Sequence, residues 1–295
     1  MFLGQIDMSL PKSCLERGEC VSNLKKLFRS ELPIIAVVHL MPLPGAPRYE
    51  GMSVKDIADL AAEEAVTLTD NGVSGIIVEN FRDMMFLKQV RPETVASMTY
   101  VADKVKRAVN VPVGLCVLQS DPIAALAICK AIGGDFIRAP YYTETYVVDT
   151  GLMESSAADA LRYRNAIHAR NVKIFADVHI KHGYPLSQRS IEESAEDALE
   201  RGLADAIIIT GKKTGGKTDP RDVASVKRHL PESEVIVGSG VTEENLHEYF
   251  PEHADAVIVG TSLKKDGRTE EKIDQKRVRE FVAATTRIVE RRKSK

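Results

Sequence analysis

Polar residues stand where apolar runs end, and the types of four of them suit proton transfer. His39 closes the run from Ile34 to Val38, and Glu79 with Asn80 closes Gly75–Val78. Asp177 and His179 follow the run from Val172. Residues two apart on a strand point to one side, so Asp177 and His179 are expected to face together. An imidazole titrates near neutrality and a carboxylate can take or hold a proton, so these residues with His39 form a candidate acid/base set. Glu79 would orient a histidine or add an oxygen ligand. The same residues could form a partial site for a divalent metal, although zinc wants three protein ligands. Arg138, after Phe136-Ile137, could clamp a phosphate or carboxylate through two parallel hydrogen bonds. The plainer alternative is that Arg138 and Glu79 close an ion pair.

A second signal lies near the C-terminal end. Val235-Ile236-Val237 runs into Gly238-Ser239-Gly240, and Ala256-Val257-Ile258-Val259 runs into Gly260-Thr261-Ser262. Each run is β-branched and too apolar to alternate, which describes a strand buried on both faces. Glycine and serine at its end let backbone N–H groups approach a ligand. Thr242, followed by Glu243, Glu244 and Asn245, resembles a helix N-cap, which would add a dipole. Two such ends side by side make a nest for phosphate.

The elements that must position these residues recur along the chain. Strands are expected at 34–39, 75–80, 113–117, 135–139, 172–177, 205–210, 235–238 and 254–259, with a helical pattern after each. Alternating strands and helices imply a parallel sheet. Eight units in about 260 residues fit a closed barrel, a single (β/α)8 TIM barrel spanning 33–295. In that fold ligands bind at the carboxyl ends of the strands, and phosphate binds after the seventh and eighth. An open doubly wound sheet is the weaker alternative, since the first strand lacks a G-x-G-x-x-G turn. Residues 1–32 read as an extension, with a short helix between Val21 and Phe28 closing one end of the body.

Two loops at the expected active face stand out. The loop Leu40–Gly51 is stiffened by three prolines. The loop Gly211–Asp219 is basic, and Gly215-Gly216-Lys217-Thr218 lacks the spacing of a Walker loop. Lys212 could supply a Schiff-base amine, but no lysine points inward from the strand before it.

The 295 residues carry a formal net charge of −2 and are 44% hydrophobic and 28% charged. This balance gives no general affinity for nucleic acid or an anionic membrane, and no apolar run reaches transmembrane length. The four cysteines form no CxxC pair, so a reducing compartment is expected. That points to the cytoplasm, with a mitochondrion or another organelle as the alternative, because the N-terminal segment mixes bases and serines with acids. A homo-oligomer is expected. A divalent metal is the one cofactor the site residues suggest.

The run Ile35–Pro47, with His39 to Pro47 the most specific part, resembles the signature of the BtpA/SgcQ family. Gly75–Phe81, Gly238–Asn245 and Val259–Gly267 are also similar. The resemblance covers Pro33 to about Phe281. It implies a TIM barrel of the ribulose-phosphate-binding type. It implies links to photosystem I biogenesis in a cyanobacterial member and to sugar or nucleoside metabolism in others, but no residue roles. Taken together, the expected function is an isomerase-, lyase- or hydrolase-type step on a phosphorylated small molecule. The alternative is a non-enzymatic assembly factor.

Overall fold

The computed structural model describes residues 22–211, 215–250 and 253–293. Chain order runs α1 (Asn23–Phe28), β1 (Ile34–His39), α2 (Val54–Asp70), β2 (Gly75–Glu79), α3 (Pro92–Ala108), β3 (Val113–Cys116), α4 (Pro122–Ile132) and β4 (Phe136–Ala139). It continues with β5 (Tyr146–Val148), β6 (Gly151–Met153), α5 (Ala157–Ala166), β7 (Lys173–Val178), β8 (Tyr184–Pro185) and α6 (Ile191–Glu196). The last elements are β9 (Ala206–Ile209), α7 (Pro220–His229), β10 (Val235–Gly238), β11 (Ala256–Val259) and α8 (Gln275–Lys293). Eight strands close a parallel barrel in the order β1-β11-β10-β9-β7-β4-β3-β2.

Strand parity decides which residues reach the site. Ile35, Val37, Ile77, Cys116, Phe136, Phe175, Ile208, Ile236 and Ile258 fill the barrel interior. Their neighbours, such as Ile34, Ala36, Ile76, Ile137 and Val237, pack outward under the helices. With a period of two, the next inward positions at the carboxyl ends are His39, Glu79, Arg138 and Asp177.

The opposite end is closed by α1. Ser22 caps it through the Lys25 N–H, and Glu234 accepts the Asn23 and Leu24 N–H groups. Leu24 and Phe28 enter the interior, where the Phe28 ring lies 5.5 Å from that of Phe136. Residues 1–21, with Cys14 and Cys20, lie outside the described residues, as do Lys212 and Lys213. Cys116 and Cys129 are buried free thiols.

Two local expectations are corrected. The stretch after β10 forms no α-helix. Thr242 N–H donates to Asn245 Oδ1 and Asn245 N–H donates to Thr242 Oγ1, which closes a turn. Only a 3-10 turn, Leu246–Glu248, follows, so no long helix dipole backs this end. The stretch 140–151, which the strand pattern above leaves without an element, contributes β5, which pairs antiparallel with β6 and β8 in a separate three-stranded sheet.

Candidate active site

The carboxyl ends of the strands surround one open cavity of about 220 Å³. Its lining includes His39, Glu79, Arg138, Ser239, Gly240, Gly260, Thr261 and Ser262 from the residues singled out above. Lys181 and Arg277 join them. Gly238 ends β10 directly beneath.

The glycine-rich ends form one wall. Ser239 and Gly240 both have left-handed backbone, at φ 67° and 62°. The N–H groups of Gly240, Val241, Thr261 and Ser262 find no acceptor among the described residues. Arg277, from α8, donates to the Ser262 carbonyl at 3.3 Å and adds a cation beside them. The described end of the basic loop, Gly215–Thr218, lies against this wall. Thr218 Oγ1 donates to the Gly238 carbonyl, and Tyr249 OH donates to the Thr218 carbonyl. Lys217 is held by Glu248 at 2.7 Å.

The facing wall is charged and buried. Glu79 Oε1 lies 3.7 Å from His39 Nε2, and Glu79 Oε2 lies 3.7 Å from Arg138 Nη1. Arg138 binds Asp177 through two parallel hydrogen bonds, Nε to Oδ2 and Nη2 to Oδ1, each 2.8 Å. Burial opposes the Arg138 charge, but the charge and hydrogen bonds of Asp177 outweigh it, so the guanidinium stays protonated well above its ordinary range. Burial lifts the Cys116 thiol well above its usual value, and Glu79 adds to this, so Cys116 is not a thiolate nucleophile.

His39 is buried against the Phe81 ring, 4.7 Å away. A Cβ on Gly260 would stand 3.0 Å from His39 Cε1, so that glycine makes room for the imidazole. Burial holds the His39 pKa well below the ordinary value, and the charges of Lys264, Lys181, Arg82 and Arg138 reinforce it. His39 is therefore a neutral imidazole at physiological pH. The unfolded chain binds a proton here near pH 6.5 and the folded chain resists it, so stability is lost as pH falls below about 6.5. His39→Gln removes this contribution. Urea midpoints of the two proteins should run parallel above about pH 7 and converge as pH falls below about 6.5. Parallel curves throughout would show that His39 titrates freely.

Three expected site residues lie elsewhere. Asp177 does not line the cavity: its side chain is fully buried and both oxygens are engaged by Arg138. His179 does not share its side of the strand. β7 ends at Val178, and His179 takes a left-handed backbone at φ 47°. Its Nε2 comes within 3.2 Å of Ser194 Oγ on α6. Asn80 ties two loops together, accepting from the Leu118 N–H at 2.7 Å and donating to Asp83 at 3.1 Å. His39, Glu79, Asp177 and His179 thus do not converge as a ligand set. Among the described residues no group of three or more His, Cys, Asp or Glu is placed to hold a metal ion.

Lys181 and Arg277 were not singled out from the sequence. Lys181 lies beyond the end of β7 and past the left-handed His179, so strand parity carries no signal for it. Arg277 comes from a helix far along the chain and leaves no local signal.

These features define a (β/α)8 barrel with an open polar cavity at the carboxyl ends of its strands. The chain matches the model of the BtpA family over residues 30–287. It is 39% identical over 274 residues to the photosystem I biogenesis protein BtpA of Synechocystis sp., covering 92% of this chain and 94% of that protein. The chain belongs to the BtpA family. Among solved structures it resembles thiamine phosphate pyrophosphorylase from Pyrococcus furiosus, with a TM-score of 0.56 and 12% identity over 88% of this chain and 98% of that one. It also resembles phosphoribosyl anthranilate isomerase from Thermus thermophilus, with a TM-score of 0.53 and 13% identity over 87% and 99%. At such identities the likeness is one of fold. Among the described residues no helix is long and apolar enough to cross a membrane.

Proposed function

We propose that this protein is an enzyme acting on a phosphorylated small molecule, a sugar phosphate or a nucleotide derivative. The observation that carries this reading is the pairing of two walls in one cavity. Free backbone N–H groups and Arg277 stand on one side, and the His39–Glu79 couple stands on the other. The first wall suits a phosphate, because backbone donors and a guanidinium bind phosphoryl oxygens without a competing carboxylate. The second suits proton transfer, with a neutral imidazole and a carboxylate within reach of one bound molecule. Arg138 positions Glu79 and is itself locked by Asp177. The reaction is of the isomerase, lyase or hydrolase type. The names of the two structural neighbours, both enzymes of phosphorylated compounds, agree with this. A cytoplasmic site of action and self-association belong to the same proposal. Light scattering of the purified chain checks the second.

The test is a thermal-shift screen against phosphate, sugar phosphates and nucleotides. A ligand at a hundred times its Kd adds about 2.7 kcal/mol to the native state. For a ligand found this way, Glu79→Gln should keep the shift while exchange of substrate carbon-bound hydrogen with D2O, followed by NMR, falls about 10²–10⁴-fold. Unchanged exchange would remove Glu79 from proton transfer. A flat screen would favour the assembly-factor reading, which expects a blocked or apolar mouth instead of this polar cavity.

A further inference from the structure

We infer that Lys181 is an amine nucleophile and that the molecule bound here is a phosphorylated carbonyl compound, captured as an imine. The inference rests on the phosphate reading above and narrows its substrate class.

Lys181 lines the same cavity as the glycine-rich wall, His39, Glu79 and Arg138. Its backbone is fixed on both sides of the barrel mouth. The Lys181 N–H donates to Thr210 Oγ1 at 3.2 Å, and its carbonyl lies 3.5 Å from the Tyr141 hydroxyl. The amine therefore starts from an anchored point, which is what a nucleophile needs to meet a bound carbonyl repeatedly in one geometry.

Its electrostatic setting differs from that of the other half-buried lysines. Lys106, Lys173 and Lys227 each sit 2.6–2.9 Å from an aspartate. Lys181 makes no ion pair with any described carboxylate. The acids within range are already engaged: Asp177 by Arg138, and Glu79 between Arg138 and His39. Burial lowers the Lys181 pKa and Arg138 pushes the same way, against the weaker pull of Glu79 and Asp177. A desolvated lysine beside a permanent cation gives up its proton readily, and that is the standard route to a nucleophilic amine. A lysine meant only to bind phosphate would gain from keeping its charge, and the backbone donors with Arg277 already provide for the phosphate.

The chemistry balances without any redox partner. The Nζ lone pair attacks the carbonyl carbon, a C–N bond forms as the carbonyl π bond breaks, and the oxygen takes up a proton from solvent. The resulting carbinolamine loses an Nζ proton to Glu79. Glu79 returns this proton to the carbinolamine hydroxyl, the C–O bond breaks with departure of water, and the nitrogen lone pair forms the C=N bond. The net change is one water released and one protonated imine, an electron sink that acidifies the neighbouring carbon for isomerase or lyase steps.

The experiment uses pyridoxal phosphate as a probe, since it joins an aldehyde to a phosphate monoester, with pyridoxal as its phosphate-free counterpart. The full chain is incubated with each, reduced with borohydride, digested, and the modified lysines are located by mass spectrometry. Lys181 should be the dominant site. Pyridoxal phosphate should label it at least ~10-fold faster than pyridoxal, because the phosphate wall holds the aldehyde beside the amine. Inorganic phosphate should protect it, and in Lys181→Arg, with an unchanged circular-dichroism spectrum, about one equivalent of label should disappear. Label spread over exposed lysines with Lys181 unmodified, while inorganic phosphate still raises the melting temperature, would overturn the amine role and leave the phosphate reading standing. Equal labelling of Lys181 by both aldehydes, unprotected by phosphate, would keep the amine and overturn the phosphate reading.

Discussion

Arg138→Met is expected to lower the unfolding free energy by about 3–5 kcal/mol, the range found when one partner of a buried ion pair is removed. The Arg138 and Asp177 side chains are 6% and 0% exposed. Met approximates the stem of the arginine, so the loss is not one of volume. It arises because the Asp177 carboxylate has both oxygens on this one guanidinium and no other side-chain donor among the described residues. Glu79 loses its cationic neighbour at the same time. Because a buried pair is worth little against apolar residues of similar shape, Arg138→Met combined with Asp177→Leu should recover a large part of the loss. A double-mutant cycle by urea unfolding reads this as a coupling energy. A single-variant loss below about 1 kcal/mol would mean that the pair is wet and that Asp177 is available as a base. The expected result makes Asp177 a positioning residue, and any loss of turnover in Asp177→Asn would then reflect misplaced Arg138 and Glu79.

The barrel was legible because a strand buried on both faces writes an unmistakable apolar run, and eight such runs at regular spacing leave few topologies. The inward positions at the strand ends were legible for the same reason: parity carries His39, Glu79 and Arg138 to the mouth. Parity fails where the strand stops, and nothing local marks the left-handed turn at His179 that sends its ring to Ser194. Two residues later the chain is back at the cavity with Lys181, a return that no alternation from β7 foretells. The missing helix after β10 has a different cause. Thr242 and Asn245 satisfy each other's N–H groups, which looks like a cap in sequence and closes a turn in three dimensions. The small sheet of β5, β6 and β8 leaves no trace in the sequence pattern, because strands of two or three residues carry too little of it to register.

Gly240→Val should remove phosphate recognition while leaving the barrel folded. Gly240 sits at φ 62°, where a β-branched residue is strained by about 1–3 kcal/mol. Its Cβ would also stand 2.6 Å from the Gly216 carbonyl carbon and from the Lys217 nitrogen. Both contacts are backbone, so a side-chain rotation cannot relieve them. Either the Gly215–Thr218 segment lifts away, breaking the Thr218 contact to Gly238, or the Ser239–Val241 turn changes shape. Each alternative misdirects the Gly240 and Val241 N–H groups. A hydrogen bond to a charged acceptor contributes about 1.5–3 kcal/mol, so losing one weakens phosphate binding roughly ten- to hundred-fold. Gly51→Val is the control: it has the same kind of backbone, at φ 89°, with open space around its Cβ. Both variants should melt lower than the parent protein, but only Gly240→Val should lose the melting shift given by phosphate or a sugar phosphate. A full shift in Gly240→Val would place the phosphate elsewhere in the cavity, and Arg138 with Lys181 would become the anion site.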